Sequence, residues 1–178
     1  MATIRIDHVS SPVGKISLAS DGERLCALGF GAFGEGTRRL LAERYGEAEF
    51  VEANDPNGFS ARLRAYFQGE LGALDDISVS TGGTRFQQDV WTALRLIPAG
   101  ATATYGEIAV RVGRPAASRA VGLAAAHNPV AIAVPCHRVV GATGRLVGYA
   151  GGLERKRWLL GHEAARGFAL CAERNRLG

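Results

Sequence analysis

Asn128-Pro129-Val130-Ala131-Ile132-Ala133-Val134-Pro135-Cys136-His137-Arg138-Val139-Val140 is the stretch on which the reading of this chain turns. An apolar run bracketed by prolines delivers a cysteine, a histidine and an arginine side by side. Near neutral pH a thiol becomes the strongest side-chain nucleophile once it loses its proton, and a neighbouring imidazole and positive charge promote that loss. Taken alone, a cysteine beside a histidine is more often a buried, inert residue than a reactive one. Successive side chains diverge along a strand or a helix, so Cys136 and His137 do not easily meet directly. A water bridge between them, or a local turn after Pro135, is needed. The imidazole also needs a third group to hold its tautomer, and a carboxylate suits that role. Glu163, in the last helical pattern of the chain, is the candidate.

Working outward, the 178 residues suit one compact domain or two small ones, with 47% hydrophobic and 21% charged residues, the profile of a soluble globular protein. There is no apolar run long enough to cross a membrane and the N-terminus lacks a secretory core, so a cytoplasmic protein with no membrane partner is expected. Three cysteines (Cys26, Cys136, Cys171) argue against a disulfide framework. No Cys-x-x-Cys or His-x-x-x-His spacing occurs, and no metal is predicted. The net charge of +4, nearly all from arginine, fits a polyanionic partner without requiring one.

Residues 3–9 and 16–20 alternate apolar and polar about Ser11-Pro12-Val13-Gly14, as a hairpin does, and Leu25 to Phe30 is a third strand. Helical spacing follows over Thr37 to Tyr45 and Ser60 to Gln68, with Ser60 placed as an N-cap. Asp75 to Gly83 is polar and reads as a linker. Beyond it the pattern turns helical: Phe86 to Arg95 capped by Thr84, Tyr105 to Val112, a turn at Gly113-Arg114-Pro115, and an alanine-rich helix over 116–126. Helix, tight glycine turn, helix is the helix-turn-helix pattern, which an ordinary αα-hairpin shares. A glycine-rich loop from Gly141 to Gly152 and a helix from Leu153 to about Ala164 close the pattern. The fold class read from this is α+β: a small strand-rich α/β domain over 1–80, a mostly helical domain with a helix-turn-helix over 84–165, and a basic tail over 166–178.

The Asn-Pro-Val and Pro-Cys-His-Arg-Val segments resemble the active-site signature of the O6-alkylguanine-DNA alkyltransferases. Three further blocks agree in order and spacing: Thr104-Tyr105-Gly106-Glu107-Ile108-Ala109, Ser118-Arg119-Ala120-Val121-Gly122, and Gly148-Tyr149-Ala150-Gly151-Gly152-Leu153 running on to Lys156, Trp158 and Glu163. The resemblance covers roughly Phe86 to Glu163 and is weak in the first third. Some members carry zinc in the N-terminal domain, but here only His8 and Cys26 lie in the first half, too few to ligate one.

The resemblance implies DNA repair by direct reversal, in which an alkyl group on guanine O6 passes to Cys136 once per molecule with no cofactor. Cys136 as thiolate is then the nucleophile, His137 takes its proton through water, and Glu163 supports His137. Tyr105 donates to a purine ring nitrogen to relieve the charge on the leaving base. Asn128 ties the recognition helix to the cysteine segment. The resemblance also implies a duplex DNA partner bearing the lesion, entered from the minor groove. Arg119 fills the stack vacated by the extruded nucleotide, and Ala116, Ala117 and Ala120 permit close approach. Val139, Gly148, Tyr149, Ala150 and Gly151 are expected to form the base pocket, with Ala150 standing where many relatives have serine. Lys156 is expected to brace the loop, and Arg138 either raises the local potential or pairs with a distant carboxylate.

Two other readings are a non-catalytic alkylguanine-binding protein of the same fold and a helix-turn-helix transcription regulator. Relatives of the first kind have lost the cysteine that this chain keeps. Against the second, the recognition helix is almost all alanine and offers few base-reading donors. A monomer in solution is expected, with cooperative assembly on DNA left open.

Overall fold

In a computed structural model, the backbone is described from Met1 to Arg176 and side chains as far as Ala164. The chain divides into two compact units. The first comprises Met1–Thr84 together with Asn128–Ala133, and the second Arg85–His127 together with the chain from Val134 onward.

The first unit is built on a four-stranded sheet of order β3-β2-β1-β4. β1 (Ala2–Ser11) and β2 (Gly14–Ser20) form the expected hairpin, with Ser11 opposite Gly14 across a two-residue loop. β3 (Leu25–Phe30) adds antiparallel to β2. β4 (Ala48–Glu52), which alternation in the sequence did not reveal, lies parallel to β1 after the helix α1 (Glu35–Tyr45). Ile4, Ile6, Ala19, Cys26, Ala27 and Leu41 form one core, with Phe33, Tyr45 and Phe50 partly buried against it.

α2 (Phe59–Gln68) corrects one local expectation. Its N-cap is Gly58, not Ser60. Ser60 lies inside the helix, fully buried, and donates to Asp7 Oδ2 at 2.6 Å, joining α2 to β1. The segment read as a linker is also stitched in place. Leu25 N–H donates to Ser78 O at 2.9 Å, Ser80 N–H donates to Leu25 O at 2.9 Å, and the Arg44 guanidinium donates to the Ser80 and Thr81 carbonyls. Composition marks this stretch as polar but does not show where its backbone bonds go. The same free edge of β3 takes the returning segment, through Leu28 N–H to Pro129 O and Ala131 N–H to Leu28 O, both 3.0 Å. Two short stretches thus cover a strand edge that would otherwise present unpaired groups.

In the second unit, α3 (Arg85–Arg95) buries Val90, Trp91, Ala93 and Leu94, and the Trp91 indole N–H donates to Ala124 O at 2.9 Å. β5 (Ala103–Thr104) pairs parallel with β6 (Val139–Val140) and leads into α4 (Tyr105–Arg111). Thr104 and Glu107 form a reciprocal capping box, so the residue that follows the cap, Tyr105, is fixed at the first turn.

α4 ends in a left-handed Gly113 (φ 74°) whose N–H donates to Val110 O while Arg114 N–H reaches back to Ala109 O, both at 2.9 Å. Such a termination requires a positive φ, which only glycine adopts freely. α5 (Ser118–Ala126) packs on α3 and α4, as a helix-turn-helix does. Its start is two residues later than expected, because Ala116 and Ala117 belong to the turn, closed by Ala117 N–H to Arg114 O at 2.9 Å. α6 runs from Leu153 to Arg176, past the expected end near Ala164. The side chains of the basic tail predicted over 166–178 lie outside the described residues. No helix among the described residues is long and apolar enough to cross a membrane.

Candidate active site

Two successive three-residue turns deliver the cysteine. Ala133 N–H donates to Ala131 O at 2.7 Å across Ile132, whose φ is +67°. A β-branched residue in this region is strained, at a cost on the order of 1–3 kcal/mol. Cys136 N–H then donates to Val134 O at 2.8 Å across Pro135 (φ −82°, ψ 64°). Cys136–Arg138 form one turn of 3-10 helix, a local turn directly after Pro135. With three residues per turn, consecutive side chains point about 120° apart. Cys136 lines a cavity, while His137 and Arg138 both reach Glu163 on α6.

The cavity has a volume of about 280 Å³. This lies near the lower end of the roughly 300–1,000 Å³ of small-molecule sites. Tyr105 of α4 and Cys136 contribute to its wall, together with Gly148, Tyr149 and Ala150 of the glycine-rich loop. Gly122, Ala125 and Ala126 of α5 complete it. The sequence did not place those three in the pocket, although their spacing of i, i+3 and i+4 puts small residues on one helix face and could have found them. Two expected pocket residues do not line the cavity. Val139 is fully buried in β6, and Gly151 offers its carbonyl to Arg155 Nη1 at 3.0 Å.

Glu163 is fully buried and accepts from the two residues that follow the cysteine, His137 and Arg138. His137 Nε2 lies 2.8 Å from Oε1. Arg138 Nη2 donates to the same oxygen at 2.8 Å, Nε donates to Oε2 at 3.0 Å, and Nη1 donates to Ile97 O at 2.7 Å. Of the two roles open to Arg138, pairing with a carboxylate is the one that the geometry displays. Burial alone would raise the Glu163 carboxyl, but the hydrogen bonds and charges of His137 and Arg138 outweigh it and bring it down to about 2.

His137 is lowered from its ordinary value, chiefly because burial disfavours the imidazolium, with the charges of Arg138 and Lys156 acting in the same sense against the pull of Glu163. An ionised carboxylate can only accept, so Nε2 of a neutral His137 carries the hydrogen and Nδ1 keeps its lone pair. Nδ1 is buried and has no hydrogen-bond partner in the protein.

The loop over the cavity is held from two sides. Lys156, fully buried, donates to Val147 O and Gly148 O, both at 3.1 Å, as a brace would. The Tyr105 hydroxyl donates to the same Val147 carbonyl at 3.0 Å. Burial raises Tyr105 and Tyr149 above the ordinary phenol value, with the Cys136 charge adding to both. Asn128 Oδ1 accepts from Val130 N–H at 3.0 Å, closing the start of the returning segment. Arg119 and Ala120 are exposed on α5, Ala116 is exposed in the preceding turn and Ala117 is half-buried there. Leu123, one turn beyond Arg119 and 62% exposed, joins that outward face and was missed from the sequence.

A cavity-facing thiol backed by a histidine–carboxylate pair, in a unit that also carries a helix-turn-helix, defines a class of DNA-directed thiol proteins. The comparisons narrow it. Residues 85–165 match the DNA binding domain of 6-O-methylguanine DNA methyltransferase, and residues 4–81 match its ribonuclease-like domain. The chain is 44% identical over 160 residues to the methylated-DNA–protein-cysteine methyltransferase of Salmonella typhimurium, covering 88% of this chain and 94% of that protein. It is 47% identical over 161 residues to that of Mycobacterium tuberculosis, covering 89% and 91%. Among solved structures, Mycobacterium tuberculosis OGT in complex with DNA aligns with a TM-score of 0.76 at 43% identity, over 92% of this chain and 94% of that one. The O6-methylguanine-DNA methyltransferase of Pyrococcus kodakaraensis aligns with a TM-score of 0.61 at 28% identity, over 90% and 98%. The chain belongs to the methylated-DNA–protein-cysteine methyltransferase family.

The buried pair makes stability depend on acid in a stated direction. Glu163, held at about 2 against an ordinary 4.5, contributes stability that is complete above pH 4.5 and lost as pH falls toward 2. His137 resists a proton that the unfolded chain takes near 6.5, so it too favours unfolding below that pH. In urea unfolding across a pH series, wild type is expected to exceed Glu163→Gln in stability at neutral pH, with the gap closing between pH 4.5 and 2. A gap independent of pH would remove Glu163 from the buried ion cluster.

Proposed function

We propose that this protein repairs DNA by moving an alkyl group from guanine O6 to Cys136, once per molecule. The observation that carries the reading is the pairing of a cavity-facing thiol with a neighbouring histidine whose Nδ1 is bare and whose Nε2 is bonded to Glu163. The thiol proton passes through water to Nδ1, and the sulfur attacks the alkyl carbon. The carbon–O6 bond breaks and its electron pair stays with the departing guanine. Tyr105 donates to a ring nitrogen of that base as charge develops on it. Its hydroxyl spends that proton on Val147 O at 3.0 Å in the base-free state, so base entry exchanges one acceptor for another. Ala150 places a methyl group and no hydroxyl at the cavity wall, leaving backbone N–H groups to bind O6.

An alkylated base inside a duplex cannot reach a thiol, so the nucleotide is extruded into the cavity. α5 enters the minor groove, with the exposed Arg119 occupying the vacated stack and Ala116, Ala117 and Ala120 allowing close approach. The minor groove carries little sequence information, which suits a lesion that occurs anywhere. Asn128 anchors the segment that returns toward the cysteine. The N-terminal domain over 1–80 serves a structural role, the site and the DNA surface lie within 84–165, and the tail over 166–178 adds basic charge. The protein acts as a monomer in the cytoplasm, free to assemble cooperatively on DNA.

Mixing the protein with O6-methylguanine duplex DNA is expected to add one methyl group per molecule, on the peptide containing Cys136, as read by mass spectrometry. Cys136→Ser should still bind the DNA and transfer nothing. Methyl on Cys26 or Cys171, or more than one turnover, would sink the proposal.

Extrusion and chemistry separate at Arg119. Arg119→Ala is expected to slow repair of duplex DNA about tenfold, equivalent to about 1.4 kcal/mol of the few kcal/mol that extrusion costs. Reaction with the free base O6-benzylguanine, which needs no extrusion, should stay near the wild-type rate in single-turnover quench. Equal losses on both substrates would make Arg119 a structural residue.

A further inference from the structure

The Glu163 carboxylate has two claimants, and that sharing has a chemical consequence. Oε1 lies 2.8 Å from both His137 Nε2 and Arg138 Nη2, and Arg138 closes a second bond to Oε2 at 3.0 Å. Arg138 is 4% exposed, and Ile97 O takes its remaining fork at 2.7 Å. We propose that Arg138 is a positioning residue for the transfer: by neutralising Glu163 it leaves His137 in the neutral Nε2–H form from which Nδ1 accepts the Cys136 proton. This rests on the alkyl-transfer reading given above.

Charge balance within the buried cluster governs the protonation of His137. With Arg138 in place, one carboxylate and one guanidinium already sum to zero, and a proton added to His137 would leave an uncompensated buried cation. Remove the arginine charge and the pull of Glu163 for a proton on His137 is less opposed, so His137 holds a proton to higher pH. A protonated His137 cannot accept another, and the Cys136 proton then has no local destination. The groups facing His137 are Glu163 and Lys156 from α6 and Arg138 from its own turn, and Lys156 acts in the same sense as Arg138. Lys156 Nζ donates to the Val147 and Gly148 carbonyls, whereas Arg138 lays its guanidinium fork on Glu163 itself. During transfer the balance persists, because the thiolate and the imidazolium form together.

Arg138→Gln keeps an N–H donor near Glu163 but removes the charge, whereas Arg138→Lys keeps the charge and loses the planar fork. The test is the pH–rate profile of Cys136 in wild type and both variants. Two reagents are used, O6-benzylguanine for transfer and iodoacetamide, which needs only the thiolate. Arg138→Gln is expected to move the acid limb up by about one pH unit, so that at a pH on that limb the rate relative to its own plateau falls about tenfold. Arg138→Lys should lower the plateau with the limb where wild type has it. A purely structural arginine would lower the Arg138→Gln plateau evenly with no movement of the limb, and that result overturns the proposal. An Arg138→Lys limb raised above wild type overturns it as well, even if Arg138→Gln does not fold. A shifted iodoacetamide profile with no transfer from any alkylguanine would instead refute the functional reading and leave the role of Arg138 standing.

Discussion

One buried carboxylate organises the second unit of this protein. Glu163 is fully buried, and a bare charge there would be intolerable without partners. His137 and Arg138 supply them from a single 3-10 turn, which pins that turn to α6. The first residue of the same turn is Cys136, so the orientation of its thiol toward the cavity is a by-product of satisfying the carboxylate. Deleting one member of such a cluster typically costs about 3–5 kcal/mol, because the remaining charge is left buried. The turn is therefore far more rigidly specified than an exposed active-site loop would be.

The approach to the turn is itself strained. Ile132 holds a positive φ in a buried position, and Pro135 sits at the centre of the second three-residue turn. Leu28 N–H donating to Pro129 O, and Ala131 N–H donating to Leu28 O, anchor the start of the segment, and the Glu163 cluster anchors its end. Strain of this kind survives only where the surroundings over-determine the conformation. On the other side of the cavity, α5 serves two surfaces at once. Gly122, Ala125 and Ala126 open space for a flat ligand, while Arg119 and Leu123 project outward. Small residues suit both duties, and an alanine-rich helix with one charge is the outcome.

Much of this was legible in the residues. The hairpin, β3 and the pattern of helix, glycine turn and helix follow from alternation and glycine position, and the His137–Glu163 pair from the need of an imidazole for a carboxylate. Less legible were features set by partners remote in sequence. β4 is an edge strand with no fully buried residue, and its adjacent Phe50 and Val51 are both half-buried, so it shows weak alternation. Ser60 looks like a cap until Asp7, fifty-three positions earlier, claims its hydroxyl. The polar run Asp75 to Gly83 reads as a linker because its bonds go through the backbone and Arg44. Arg138 was ambiguous for the same reason: its partner is twenty-five residues away, and only the fold shows that it shares Glu163 with His137.

All of this chemistry requires a resting site with a neutral His137, its hydrogen on Nε2, toward Glu163, and its lone pair on Nδ1. Nitrogen-15 chemical shifts of the His137 imidazole report this directly, without any substrate. At pH 7 the account predicts a pyrrole-type Nε2 and a pyridine-type Nδ1. An imidazolium at that pH, or a hydrogen on Nδ1 with Nε2 bare, would contradict it.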